Sequence, residues 1–258
     1  MSAATPLQFW FEFNSTYSYL VAVYLSRTLS GQTGPGTLTL RQPLRVSFKP
    51  LRFGPVFQKF GGQATGPILS NPAKAAYMFR DLKREASYAA IPFRGYPAHP
   101  QPGPVNTGPV TQATALLVDC LEPQGNSQRL LAHWVASVYH AFFADQKDIS
   151  QPEVVRALLE AFVPPAAPLL QTSVYLARLA PQAATTPVSA LPALIYQLAV
   201  DHPEVRARVR ANTEEAITRQ MFGAPFLATA DGELFWGHDR LQRAVQWGED
   251  HPVKTANL

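Results

Sequence analysis

Between residues 7 and 13, Phe9, Phe11 and Phe13 alternate with Gln8, Trp10 and Glu12, the period-2 pattern of a strand with aromatic residues on both faces. Leu20, Val21, Tyr24 and Leu25 then share one stripe of a helix over residues 18–29, which the Gly/Pro cluster at 31–36 ends. Residues 38–49, with Val46 and Phe48, predict a second strand, so the chain opens β-α-β. From Pro50 to about His202 helical periodicity takes over. Helices are predicted over residues 73–89, 112–121, 129–143 and 152–162, with 145–148 a connecting loop and Pro152 at a first helical position. Pro92, Pro97, Pro100, Pro102 and Pro104 crowd residues 91–109 too closely for a regular element and predict a loop or lid. Residues 163–192, rich in Pro and Ala, read as an irregular insertion around one short helix over 172–179. A helix over 203–221 precedes the strongest local signal, apolar residues 226–230 and 233–236 around Asp231-Gly232, which predicts a type I′ hairpin. A closing helix is predicted over 240–247.

The two chain ends together outline one thiol-handling site. Near the start, a strand leads through Asn14-Ser15-Thr16-Tyr17-Ser18 into a helix. Near the finish, Gly223-Ala224-Pro225-Phe226 leads into the hairpin. A strand, a small nucleophile at a helix start and a distant X-Pro before a hairpin outline a thioredoxin-like fold. The expected architecture is therefore α/β, a thioredoxin-like domain from residues 1–50 and 203–258 interrupted by a helical insertion domain over 51–202. Ser15 and Ser18 stand where that fold places a C-x-x-C pair. Serine forms no disulfide, so disulfide exchange is rejected and the binding of an external thiol is expected. Cys120, the only cysteine, lies in the apolar, helical stretch 111–121 and reads as core.

Composition narrows the function further. An apolar fraction of 47% and a charged fraction of 16% are globular values over 258 residues. The apolar runs fall far short of the ~18 residues of a membrane span, and residues 1–6 lack the basic and apolar regions of a secretory leader. A soluble, intracellular protein is expected, cytoplasmic before mitochondrial or peroxisomal. Lys and Arg exceed Asp and Glu by only 22 − 18 = 4, and they are scattered; Arg206, Arg208 and Arg210 spread around a helix instead of stacking on one face. Nucleic-acid binding is not expected, while small anionic ligands are mildly favoured. The six histidines show no metal-ligand spacing, and no metal is expected.

Three segments, in order, resemble the kappa-class glutathione S-transferases and the related 2-hydroxychromene-2-carboxylate isomerases, a DsbA-like group. Phe11 through Leu20 looks like that group's opening strand and S-P-x-S-Y turn. Pro72-Ala73-Lys74 through Tyr77-Met78 and Asp81-Leu82 is similar to its P-x-K-x-x-Y-M-x-x-D-L helix. Gly223-Ala224-Pro225-Phe226 and the run from Asp231 to Leu241 resemble its closing segment. Thr16 replaces the usual Pro, Thr65 stands where the group has an Asn that contacts glutathione, and His238 stands where Ser, Asn or Gln is commoner.

The resemblance implies a glutathione-dependent enzyme of kappa type, a homodimer, that conjugates electrophiles or reduces hydroperoxides. Its alternatives are a glutathione-dependent chromene-carboxylate isomerase and a silent thioredoxin-like binding module. Ser15 is implied as the group that holds the glutathione sulfur. A free thiol has a pKa near ~8.5. A hydroxyl donating to the sulfur anion contributes roughly 1.5–3 kcal/mol and a helix N-terminus about 0.3–2 kcal/mol. Together they would lower the thiol by roughly 1.5–3 pKa units. The plain alternative for Ser15 is a helix cap. Pro225 is expected to follow a cis bond, with Ala224 offering its backbone to the cysteinyl unit like an added strand. Asp239 and Arg240 are implied for the γ-glutamyl end, Thr65, Lys74 and His238 as further glutathione contacts, and Tyr17 and Phe93 as walls of an acceptor pocket.

Overall fold

The opening alternation folds as β1 (Thr5–Phe11), a strand buried on both faces. Leu7, Phe9 and Phe11 enter the main core, whereas Trp10 enters a second cluster with Leu51, Val56, Met221 and Phe226. The computed structural model describes residues 4–61, 71–98, 103–125 and 127–253. After α1 (Thr16–Leu29), β2 (Leu44–Pro50) pairs in parallel with β1, Phe9 opposite Phe48. β3 (Phe226–Thr229) and β4 (Leu234–Trp236) return from the far end of the chain. β3 runs antiparallel to β1, with Trp10 opposite Phe226, and β4 antiparallel to β3. The sheet order β2-β1-β3-β4 sets the end of β1 beside the start of β3. The expected thioredoxin-like α/β architecture is what forms, and that junction is where its two halves meet.

Between β2 and β3 run α2 (Phe53–Gly61), α3 (Pro72–Tyr88), α4 (Gly108–Leu121), α5 (Gln128–Phe143), α6 (Pro152–Gln171), α7 (Val174–Leu179), α8 (Leu191–Asp201) and α9 (Pro203–Thr218); α10 (Leu241–Asp250) closes the described chain. α1 packs on α5, and α4 is buried along most of its length, with Cys120 inside. Burial pushes the Cys120 thiol up to about 12, against a hydrogen bond from Ser173 that lowers it, so it stays protonated and inert.

Three departures from the sequence expectation have identifiable causes. The second strand starts at Leu44, not at 38, because residues 39–42 bind α10 instead: Thr39 N–H donates to Gln242 Oε1 at 2.9 Å, and Arg41 pairs with Glu249 and Asp250 at 2.8 and 2.7 Å. The segment expected to be irregular after 162 continues as helix α6 through Pro164, Pro165 and Pro168. All three prolines lie on its exposed face, as do residues 160 and 161, whose carbonyls lose their donors and turn to water. Val155, Leu159, Phe162, Val163, Ala166 and Leu170 meanwhile keep an unbroken buried stripe. The β3–β4 turn is not type I′. Gly232 has φ 93° but Asp231 is not at positive φ, and the bonds Gly232 N to Thr229 O and Thr229 N to Glu233 O, both 3.0 Å, define a three-residue loop with its Gly at the left-handed position.

Candidate functional site

At the end of β1 the chain turns over Glu12 to Ser15, closed by Ser15 N–H donating to Glu12 O at 2.8 Å. The Tyr139 hydroxyl of α5 donates to the same carbonyl at 2.8 Å, pinning the turn to the helical core. Ser15, extended at φ −79° and ψ 109°, is the N-cap of α1, and its Oγ accepts from Ser18 N–H at 3.2 Å. The one hydroxyl proton points the other way, donating to Ala224 O at 3.0 Å. Ala224–Pro225 is a cis peptide. Ser15 is therefore a cap and also the bridge between the two chain ends, 7% exposed. The first-turn amides of Thr16 and Tyr17 lack intrahelical acceptors by helix geometry and, with the helix dipole, favour an anion beside Ser15.

A second wall meets the first through Tyr17. Its ring stacks on His238 at 5.0 Å, and its hydroxyl donates to Asp81 Oδ2 at 2.7 Å. Burial first, then Asp81, hold the Tyr17 hydroxyl above the usual phenol range, so it stays protonated. His238 Nε2 lies 3.3 Å from Glu85 Oε2, so α3 is latched at two acids one turn apart, Asp81 to α1 and Glu85 to the chain's closing segment. Asp81 also pairs with Arg84 at 2.9 Å. Lys74 stands seven residues before Asp81, two turns along the same side of α3, exposed and without a side-chain hydrogen bond or ion pair among the described residues. Beyond His238, Asp239 pairs with Arg240 at 3.5 Å, both more than half exposed. Gly237, at φ 109°, lets the chain fold back here: a Cβ on it would lie 2.6 Å from Asp239 Oδ1. Gly237 N–H donates to Pro225 O at 3.1 Å, which ties this corner to the cis-proline.

The structure thus brings together Ser15, Ala224, Pro225, Tyr17 and His238, with Asp239 and Arg240 beside them. Phe93 packs on Phe143 at 5.9 Å within the aromatic cluster that also holds Tyr19, and no ring contact joins it to Tyr17 among the described residues. Thr65 lies outside the described residues. Sequence reasoning passes over Glu12, which is 2% exposed directly beneath the turn. Burial pushes its carboxyl up to about 7, against hydrogen bonds from Thr107 and Asn14 and the charge of Arg52, which lower it. The available signal is an acid inside an aromatic run whose two faces both read as buried. Among the described residues no group of three or more His, Cys, Asp or Glu is placed to hold a metal, and no helix is long and apolar enough to cross a membrane.

A cysteine-free junction of β1, α1 and a cis-proline segment defines a thioredoxin-like protein with no cysteine pair at the helix start. Residues 6–162 match the DSBA-like thioredoxin domain, and the chain belongs to that family. More particularly, it is similar to glutathione S-transferase kappa 2 of Caenorhabditis elegans, at 25% identity over 247 residues that cover 93% of this chain and 90% of that one. Among solved structures, a 2-hydroxychromene-2-carboxylate isomerase matches with a TM-score of 0.59 at 21% identity over 95% of both chains. A probable DsbA oxidoreductase from Streptomyces coelicolor matches with a TM-score of 0.56 at 12% identity, over 98% of this chain and 94% of its own. These two share the fold, and the kappa relative and the isomerase belong to the group that the sequence motifs resemble.

Proposed function

We propose that the protein is a glutathione-dependent transferase or peroxidase of kappa type, in which Ser15 holds the glutathione sulfur as thiolate. The observation that carries this reading is the Ser15 hydroxyl, placed at a helix N-terminus and donating across the junction to Ala224 O. In the bound state the cysteinyl unit takes the Ala224 backbone as a strand partner and the hydroxyl turns from the carbonyl to the sulfur. The thiol proton leaves to water. The sulfur pair then forms a C–S bond as the leaving group departs with its own bonding pair, or attacks the O–O bond of a hydroperoxide, expelling an alkoxide that takes a proton from water; a second glutathione then reduces the sulfenic acid, giving the disulfide and water. Asp239 receives the γ-glutamyl ammonium, while Arg240 and the first amides of α10 receive its carboxylate. Lys74 is an outer cationic contact.

The wall beside the sulfur favours neutral electrophiles. Glu85, and Asp81 already paired with Arg84, are the groups that meet Tyr17 and His238, so this wall offers a carboxylate substrate no attraction. Conjugation of a chloronitroarene or reduction of an organic hydroperoxide is therefore ranked ahead of chromene-carboxylate isomerisation. Rapid isomerisation of the chromene acid with glutathione would reverse that order.

Ser15→Ala tests the reading directly. Glutathione binding is expected to persist, since the tripeptide's ends are held elsewhere, while the bound thiol's pKa rises by about 1–2 units. Ultraviolet thiolate absorbance against pH measures it. An unchanged pKa would leave Ser15 a helix cap only.

A further inference from the structure

Beneath Ser15 lies a carboxyl group that the chemistry above does not use. Glu12 Oε2 accepts from Asn14 N–H at 2.7 Å, while Oε1 accepts from the Thr107 hydroxyl and, at 3.4 Å, from Asn14 Nδ2. Asn14 is in turn gripped by the segment leading into α4. Its side chain pairs twice with the Val105 backbone, Nδ2 to O at 3.0 Å and N–H to Oδ1 at 2.8 Å, and its carbonyl accepts from the Tyr96 hydroxyl at 2.7 Å. The residue before Ser15 is thus held by Glu12 on one side and by Tyr96 and Val105 on the other. Glu12 holds that same segment a second time through Thr107.

We propose that the Glu12 carboxylate is a positioning residue of the thiol site: ionised, it fixes Asn14 and so aims the Ser15 hydroxyl, and protonated, it loosens the turn from residues 103–107. The role rests on reading Ser15 as the donor to a bound thiol. A carboxylate is an acceptor at both oxygens, which matches the three donors that face it, the Asn14 N–H and Nδ2 and the Thr107 hydroxyl. A protonated carboxyl must donate from one oxygen. The Asn14 N–H cannot reverse, so the Thr107 hydroxyl turns to accept from the carboxyl, and the bonds that Glu12 makes to Asn14 and Thr107 lose their charge assistance.

The groups around Glu12 set where this happens. Arg52, just past β2, is the cation that acts on it, and its guanidinium donates to Asn106 at 3.3 Å, inside the segment that Glu12 holds. Tyr96 from the 91–98 segment and Tyr139 from α5 face it as neutral phenols, both held above their usual range by burial. Thr107 and Asn14 complete the surroundings with uncharged donors. Burial opposes Arg52 and the hydrogen bonds and brings the titration into the neutral range, to about 7.

Amide hydrogen exchange in the ligand-free wild-type protein reads the coupling without reference to glutathione. Corrected for intrinsic rates, protection of Asn14 and Val105 is expected to fall about tenfold from roughly pH 8 to 6, because the loosened turn leaves Glu12 buried without its donors and so binds the proton more tightly than the closed turn, while the amides of α5 do not follow. Flat protection at Asn14 and Val105 would overturn the proposal. Glu12→Gln should fix the weakly protected state at every pH and raise the bound thiol's pKa by about 0.5–1 unit, with glutathione affinity within about threefold of wild type. Glu12→Asp, which keeps the charge, should recover part of the pH dependence. A Gln variant with altered protection but an unchanged bound-thiol pKa would make Glu12 merely structural and also overturn the proposal. If the variant does not fold, the wild-type exchange titration decides alone. If glutathione binds neither protein, the thiol reading fails, while exchange still reports whether Glu12 governs the turn.

Discussion

The wall that carries Ser15 is buried and fixed from behind by Tyr139, Glu12, Asn14 and Tyr96, whereas the wall across Tyr17 is half-exposed and hangs on two side-chain latches, Tyr17 to Asp81 and His238 to Glu85. The first wall belongs to the sheet junction, so its geometry comes with folding. The second is a single helix, α3, with Lys74 and Tyr77 in solvent and Arg80 and Arg84 resting over the Tyr77 ring at 6.0 and 5.8 Å. One wall is thus set by the fold, while the α3 face is free to adapt. Substitutions on the two walls should therefore have opposite signatures. Changes at the first should alter thiol acidity; changes at the second should alter affinity or the stability of α3 and leave thiol acidity unchanged.

The largest effect is expected at Glu12. Its carboxyl is raised from 4.5 to about 7 in the folded protein, so between those values the native state holds a proton that the unfolded chain has lost. Stability then falls as pH rises through that window, by roughly 3 kcal/mol once the shift is complete. Asp119 and Glu122, also raised by burial, add to the wild-type slope in the same direction. The difference between wild type and Glu12→Gln in urea unfolding from about pH 4.5 to 8 isolates the contribution of Glu12. Equal slopes would mean that water reaches this carboxyl. The ionised form that orders the turn is thus also the form that costs global stability, a local gain at the site set against the fold.

Much of the first wall is legible in the amino-acid sequence. Ser15 at a helix start, Ala224-Pro225 before a hairpin and the β-α-β opening all follow from short-range rules, which tertiary packing here reinforces. Where local rules and packing compete, the local rules mislead. Pro164, Pro165 and Pro168 signal a break, yet the buried stripe from Val155 to Leu170 continues through them because the prolines face solvent. Pro192 reads as the end of an irregular stretch but sits in the first turn of α8, where a proline starts a helix as readily as it ends one. Glu12 escapes sequence reasoning for a different reason. Its meaning lies in Thr107, Val105 and Arg52, contacts 40 to 95 residues away that no spacing rule connects.

The next effect should come from the latch. Tyr17→Phe keeps the ring on His238 and removes only the bond to Asp81, which retains Arg84. A loss of about 1 kcal/mol is expected, a fall of roughly 2–4 °C in melting temperature for a chain of this size. Amide exchange should quicken along α3 and stay unchanged at Asn14. Exchange that quickens equally on both sides would mean that the walls form one unit and that their contrast is only one of exposure.

Lys74→Ala should have the smallest effect on the fold and sharpens the comparison most. The side chain makes no hydrogen bond or ion pair among the described residues, and alanine is the better helix former, so stability should move by less than about 0.5 kcal/mol. Any change in glutathione affinity then belongs to the ligand contact itself. An exposed cation meeting a carboxylate in solvent contributes about 0.5–1 kcal/mol, a few-fold in affinity, and added salt should erase it. The bound thiol's pKa should not move, because Lys74 lies two helical turns from Asp81 on the wall that does not carry Ser15. Calorimetric titration at low and high salt, paired with thiolate absorbance, separates the outcomes. A shift in thiol pKa would place Lys74 close to the sulfur and make α3 part of the activating wall, while unchanged affinity at low salt would remove α3 from the glutathione site altogether.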